Sequence, residues 1–283
     1  MRMKSNYVLC EEREIHYTEW GAGNSDVIIA WHGLARTCRD MDDIAAHLAS
    51  RGYRVICPDT IGRGLSQWSP HPGKEYCLAF YGKIAVALAD NLKLARFGWL
   101  GTSMGGALGA VLAAGAFKER IRALLLNDIG PSLAPAAVER IRGYAGKPPA
   151  FNNVTELEAY LRQVYKPYGP ITDEGWRRMT ETSVRRLPDG RVTTHYDPDM
   201  VLQFVMHPLD YERWYEYDQI TAPVLCLRGE NSDLLLPEVT EEMKVRGPRA
   251  EVVTLPGVGH APALNTPEQF ELVERFFARG RNH

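Results

Sequence analysis

The chain has few of the features that mark specialised proteins. Its five cysteines, Cys10, Cys38, Cys57, Cys77 and Cys226, are odd in number, and none form a C-x-x-C pair. That spacing supports neither a disulfide framework nor a cysteine zinc site, and it points to buried, reduced thiols in a cytoplasmic protein. Neither sign of charge dominates: 33 Lys and Arg face 35 Asp and Glu, a net charge of −2. Without a basic stripe, nucleic acid is not an expected partner. No apolar run approaches the roughly 20 residues a membrane helix needs, so no membrane partner is expected either. The opening stretch MRMKSNYVLCEEREI holds no apolar segment of the kind a signal peptide carries. Internal repeats, low-complexity tracts, metal-ligand clusters and phosphate-cradling glycine loops are also missing, so the expectation is no cofactor and no metal.

What remains is an ordinary globular composition, 45% hydrophobic and 24% charged, over 283 residues. Short apolar runs recur along it: 26–31, 53–57, 96–100, 121–126, 223–227 and 251–255. Continuous apolar character is what strands covered on both faces require. Helical patterns lie between them, at 42–49, at about 75–93, and after Thr266-Pro267-Glu268-Gln269, an N-cap with a proline in the first turn and a capping box. The alternation predicts an α/β fold with a mostly parallel, doubly wound sheet and helices on both faces. It stops after Asn127-Asp128-Ile129-Gly130-Pro131. From 132 to 219 the pattern is helical, rich in aromatics and without a convincing strand; strands resume at Pro223. The reading is a core of 1–131 and 220–283 with a helical insertion at 132–219, long enough to cover something.

Gly101-Thr102-Ser103-Met104-Gly105 fits G-x-S-x-G and falls between an expected strand and an expected helix. On a sharp turn the central residue takes strained dihedrals, and its neighbours must be small. Ser103 is therefore the candidate nucleophile. A serine needs a base. His260, on the rigid loop Pro256-Gly257-Val258-Gly259-His260-Ala261-Pro262, is placed to reach the same edge of the sheet. The imidazole in turn needs a carboxylate. Asp233, after the strand at 223–228, is the expected one, because it keeps the order Ser, Asp, His and its loop suits an inward side chain. Asp128, after 121–126, competes, with a cap or turn role as its simpler reading; Glu230 is a third candidate. An oxyanion needs two donors. The backbone N–H of Met104, first in its helix, and that of Leu34, in Trp31-His32-Gly33-Leu34-Ala35-Arg36, are the candidates. His32 itself reads as structural.

Taken together, His32-Gly33, Pro58-Asp59-Thr60-Ile61-Gly62-Arg63-Gly64-Leu65-Ser66, Gly101 to Gly106, Asp233 and Gly259-His260 resemble the α/β-hydrolase superfamily over nearly the whole chain. The similarity is to its cap-bearing branch of esterases, lactonases, C–C bond hydrolases and proline iminopeptidases. The resemblance implies that 132–219 is a helical cap inserted after the sixth strand, and that Asp59 is an architectural turn residue. Ser103 departs from the aspartate nucleophile of the haloalkane dehalogenases and epoxide hydrolases, and Met104 from the tryptophan usual in the iminopeptidases.

The expected activity is that of a serine carboxylic ester hydrolase (EC 3.1.1) working through an acyl-enzyme on a small, largely apolar ester or lactone. A C–C bond hydrolase or enol-lactonase of aromatic catabolism is the alternative, and a non-catalytic binding protein the third reading. Arg36, Met41, Trp68 and Trp214 are the expected substrate-binding residues, Arg36 for a carboxylate. A homodimer is possible.

Overall fold

The run Asp26–Trp31 is a strand, and its side chains alternate between two cores. Ile29 and Trp31 enter one, Ile28 and Ala30 the other, and all four are buried. Every second side chain of a strand shares a face, so a strand apolar on both faces must be covered on both. The computed structural model describes residues 2–279. The strands are β1 (Lys4–Cys10), β2 (Arg13–Trp20), β3 (Asp26–Trp31), β4 (Tyr53–Pro58), β5 (Phe97–Thr102), β6 (Ile121–Asn127), β7 (Val184–Arg186), β8 (Val192–Thr194), β9 (Val224–Gly229) and β10 (Glu251–Leu255). The helices are α1 (Asp42–Ser50), α2 (Pro72–Glu75), α3 (Leu78–Asn91), α4 (Met104–Ala114), α5 (Pro135–Ala145), α6 (Val154–Val164), α7 (Asp173–Ser183), α8 (Gln203–Met206), α9 (Trp214–Gln219), α10 (Pro237–Val245) and α11 (Pro267–Arg279).

Eight strands form one sheet in the order β1-β2-β4-β3-β5-β6-β9-β10. From β4 to β10 the pairing is parallel; β1 and β2 join antiparallel at one edge. Helices α3 and α4 cover one face through Tyr81, Ile84, Leu88, Leu108 and Leu112. Helices α1 and α11 cover the other through Ile44, Leu48, Val273 and Phe277. The mostly parallel, doubly wound architecture is as the apolar runs predict.

Three local features differ from the sequence reading. Strands β1 and β2 were not expected. The helix expected at about 75–93 begins only at Leu78, as α3, because the extended Cys77 (φ −157°, ψ 159°) separates it from the short α2. The segment between β6 and β9 holds α5 to α9 and also a hairpin, β7 with β8. All five cysteines are buried and unpaired. Among the described residues no helix is long and apolar enough to cross a membrane.

Close packing fixes the small residues in the sheet. A Cβ on Gly98 of β5 would come within 2.7 Å of the Phe277 ring of α11. Gly98→Val should therefore lower stability by about 1–3 kcal/mol through overpacking. Trimming the ring in Gly98→Val/Phe277→Leu should recover part of the loss, since contacting sites are not additive. Thermal unfolding of the two variants beside the parent measures both effects.

Candidate active site

Ser103 stands on the bend between β5 and α4 with φ +51° and ψ −119°, a conformation few non-glycine residues adopt. The bend is sharp enough that a Cβ on Gly101 would lie 2.3 Å from the Gly105 carbonyl oxygen, and one on Gly105 2.3 Å from that of Trp31. Both glycines of the pentapeptide are thus required by contact. The Ser103 N–H donates to the Asn127 carbonyl, 2.9 Å, tying the bend to the end of β6.

The Ser103 hydroxyl donates to Nε2 of His260, 2.9 Å. His260 Nδ1–H donates to Oδ2 of Asp128, 2.7 Å. The carboxylate partner of the imidazole is therefore Asp128, and the expectation of Asp233 is corrected. Topology explains this. β6 lies beside β5, so the residue after Asn127 is next to the serine bend. Asp128 has φ +55°, which turns the chain at the strand end. Its carboxylate is fully buried, and it accepts from the Gly229 N–H (2.7 Å) and the Ser232 hydroxyl (2.6 Å) as well as from His260. The loop after β9 thus supplies donors to the acid, not the acid itself. Asp233, next to Ser232, faces outward with 54% of its side chain exposed and pairs with Arg140 of α5 at 2.6 Å. Glu230 accepts from the Gly257 N–H at the base of the histidine loop.

The loop after β3 approaches the serine closely: a Cβ on Gly33 would lie 3.7 Å from that of Ser103. His32 is completely buried beneath it. Its Nδ1–H donates to the Gly33 carbonyl, 2.6 Å, and its Nε2 accepts from the Thr60 N–H, 2.9 Å. Burial pushes its pKa down to about 4, so the ring stays neutral, as these two bonds need. Arg63, also fully buried, donates to the carbonyls of Leu34 (3.0 Å) and Ile61 (2.8 Å) and to the Tyr81 hydroxyl (2.9 Å). Its guanidinium lies over the rings of Tyr76 and Tyr81, where aromatic faces and carbonyls disperse its charge. The N–H of Met104 opens α4, where no intrahelical acceptor exists.

Ser103, His260, Gly33 and Leu34 border a cleft of about 410 Å³. Tyr144 of α5, together with Tyr165 and Tyr168 at the turn Lys166–Tyr168, forms its wall, with Arg36 and Arg140. Burial raises all three phenol pKa values, so the hydroxyls remain protonated donors. The turn is bonded to the histidine loop: Gly259 N–H donates to the Pro167 carbonyl (2.7 Å) and Ala263 N–H to that of Tyr168 (3.1 Å).

A family model described as "Alpha/beta hydrolase family" matches residues 27–271. The chain belongs to that family. It is 40% identical over 271 residues to a 3-hydroxybutyrate-oligomer hydrolase of Cupriavidus necator, covering 92% of each chain. It is 31% identical over 159 residues to a 2-hydroxy-6-oxo-2,4-heptadienoate hydrolase of Pseudomonas putida, 56% of each. The solved structure of an alpha/beta hydrolase from Novosphingobium aromaticivorans superposes with a TM-score of 0.83 at 32% identity over 98% of both chains.

Of the expected substrate contacts in this hydrolase, only Arg36 reaches the cleft. It is buried, bonded through Nε and Nη2 to Asp40 (2.7 and 2.6 Å) and placed over the Tyr165 ring at 4.6 Å. Asp40 already answers its charge, which removes the bidentate edge a substrate carboxylate would use. Met41 lines a neighbouring cavity. Trp68 lies under Arg185, and Trp214 packs between Tyr217 and Arg246. Both tryptophans pack against arginines away from the cleft. Arg63, Tyr144, Tyr165, Tyr168, Arg140 and Ser232 were missed; only Arg63, within the quoted Gly62-Arg63-Gly64 turn, lay in a recognisable pattern.

His16, Cys38 and Asp59 lie together, buried, beside the turn at Pro58–Ser66. Asp59 Oδ1 accepts from the Cys38 N–H (2.7 Å), and its Oδ2 from His16 Nδ1 (2.7 Å) and the Leu65 N–H (3.0 Å). Burial alone would raise the Asp59 pKa, but these donors and the nearby imidazoles hold it below the ordinary value. Asp59 is architectural, as its place in the Pro58–Ser66 turn implies.

The neutral burial of His32 has a measurable consequence. Its folded pKa, about 4, lies below the unfolded value of about 6.5. The stability it confers is complete above pH 6.5 and is lost as pH falls towards 4, to a total of about 3 kcal/mol. His32→Asn, which cannot titrate, should be less stable at pH 7 but should lose less between pH 7 and 4. Urea unfolding of both proteins across that range reads the difference in slope.

Proposed function

We propose that this hydrolase cleaves carboxylic esters through an acyl-enzyme on Ser103. The observation that carries the reading is the continuous chain of hydrogen bonds from the Ser103 hydroxyl through His260 to the buried Asp128, 2.9 and 2.7 Å. A serine hydroxyl becomes nucleophilic when a neutral imidazole can take its proton. As Ser103 Oγ bonds to the carbonyl carbon, its proton passes to His260 Nε2, and Asp128 stabilises the imidazolium that forms. Collapse of the tetrahedral adduct expels the alcohol, protonated by His260. Water, deprotonated by the same ring, then releases the acid and restores Ser103.

The oxyanion is assigned to the N–H groups of Met104 and Leu34. Supporting this, both peptides flanking Leu34 are pinned from below. The Gly33 carbonyl accepts from His32 and from the Arg36 N–H, and the Leu34 carbonyl accepts from Arg63. In a trans peptide the N–H points opposite to the carbonyl, so the Leu34 N–H is turned away from His32. Fixed donors of this kind are worth about 3–4 kcal/mol each in the transition state.

The segment 132–219 acts as the cap, and it carries the substrate wall. Three phenols, from Tyr144, Tyr165 and Tyr168, suit a chain with several oxygen acceptors better than the largely apolar ester expected from aromatic content. An oligoester of short hydroxy acids meets that requirement, in agreement with the relative at 40% identity. Purified protein should hydrolyse the dimer and trimer of 3-hydroxybutyrate. Ser103→Ala should lower kcat by about 10⁴-fold or more and abolish fluorophosphonate labelling. Turnover of a vinylogous 1,5-diketone without ester hydrolysis would contradict the assignment.

Asp128 and Asp233 can be separated by the same assay. Asp128→Asn should lower kcat by about 10⁴-fold, because the amide can hold the wrong imidazole tautomer. Asp233→Asn should cost less than tenfold. The reverse order would return the role to Asp233.

A further inference from the structure

A second cavity of about 330 Å³ lies against the cleft. Tyr168 lines both spaces. So does one ion pair: Arg36 lines the cleft and its partner Asp40 the second cavity, with bonds of 2.7 and 2.6 Å between them. Thr102, just before Ser103, and Pro262, just after the histidine loop's Ala261, also face the second cavity. Tyr168 is thus the residue the two spaces share, and Thr102 brings the second within one residue of Ser103 along the chain. Each space alone is at the lower end of the ~300–1,000 Å³ usual for small-molecule sites.

We infer that the second cavity is the acyl-chain subsite of the same enzyme, joined to the cleft when the Tyr168 side chain changes rotamer. This rests on the oligoester reading above. Its walls combine apolar surface from Met41, Ile171, Met179 and Phe270 with carboxylates of Asp40, Asp43 and Glu174. Apolar surface suits the methyl and methylene groups of a hydroxyalkanoate unit. Asp40 is paired with Arg36, Asp43 with Arg178 and Arg39 with Asp42, while Glu174 has no ion-pair partner among the described residues, so the cavity disfavours a carboxylate and accepts a hydroxyl. An oligoester has one end of each kind. The hydroxyl-terminated part is the acyl group carried on Ser103, and it enters the second cavity. The carboxylate-terminated part is the leaving alcohol, and it stays in the cleft, where Arg140, 49% exposed on the rim and bonded to Asp233 through Nε and Nη2, still presents Nη1. The cavity thereby sets both the direction in which a chain binds and the number of acyl units read.

The test uses p-nitrophenyl esters whose acyl groups are one, two or three 3-hydroxybutyrate units with a free hydroxyl end, so that the acyl side is defined. Wild type should show kcat/KM at least tenfold higher for the longer acyl chains than for one unit. Ile171→Trp and Met179→Trp, made separately to fill the cavity, should each lower that ratio at least tenfold. Acetylating the terminal hydroxyl should lower kcat/KM for the longer chains in wild type and change it less in the filled variants. Circular dichroism and the one-unit ester report whether each variant has folded, and the ratio is read from whichever does. A wild-type ratio near one, or a ratio untouched by both tryptophans, overturns the subsite. If wild type cleaves p-nitrophenyl acetate but none of the hydroxybutyrate series, the oligoester reading falls and the subsite with it.

Discussion

The arrangement around the site depends on one buried carboxylate. Asp128 lies at the end of β6 with no exposure to solvent and accepts from Gly229, Ser232 and His260. A buried anion is tolerated only when its lone pairs are matched by donors. Here two of the donors are fixed by β9 and its loop, so the third direction is left to the imidazole. That sets which nitrogen of His260 carries the proton, and therefore which one faces Ser103. The β9 loop, where the sequence reading places the acid, serves instead as the acid's solvation shell. Ser232 turns inward to the buried carboxylate, while its neighbour Asp233 pairs with Arg140 at the surface.

Beneath the cleft lies a second layer of fixed polarity. His32 and Arg63 are both fully buried, and each gives one hydrogen bond to a carbonyl of the loop after β3. Neither reaches the cleft. What they fix is the direction of two peptide planes, which is the quantity an oxyanion site depends on, since donors already aimed need no reorganisation as charge develops. Arg63 also faces the sulfur of Met104 at 3.8 Å, so one side chain braces both proposed donors.

Those parts whose physics is local were legible in the sequence. The strands β3, β5 and β6 announced themselves by continuous apolar runs. The bend at Ser103 announced itself by glycines that contact explains, and the His260 loop by its glycines and prolines. Strands β1 and β2 did not: β1 is largely exposed at the sheet edge, and β2, though buried, carries His16, Thr18 and Glu19 where an apolar run would have marked it. The turn between them is made by Glu11 and Glu12, both at positive φ, where asparagine and glycine would have signalled it. The β7–β8 hairpin did carry a signal, Pro188-Asp189-Gly190, that the surrounding helical pattern obscured. The choice between Asp128 and Asp233 was beyond local reading. Both follow a strand, both keep the order Ser, Asp, His, and only strand neighbourhood in the folded sheet separates them. The tryptophans misled for a related reason: a large aromatic is as useful for covering an arginine stem as for lining a cleft.

The segment 132–219 and the loop carrying His260 are coupled mechanically, and under the proposed function this bears on how specificity can change. The turn carrying Tyr165 and Tyr168 accepts hydrogen bonds from Gly259 and Ala263, on either side of His260. A Cβ on Gly169 would lie 2.5 Å from Val258, so the two loops are also in close steric contact. Any displacement of the tyrosine wall large enough to admit a bulkier chain moves the peptides that hold the imidazole. A rotation of the Tyr168 side chain alone does not, because the shared bonds run through its backbone. Substrate range can therefore broaden by side-chain substitution on this turn, while insertions into it would act on kcat as well as on binding.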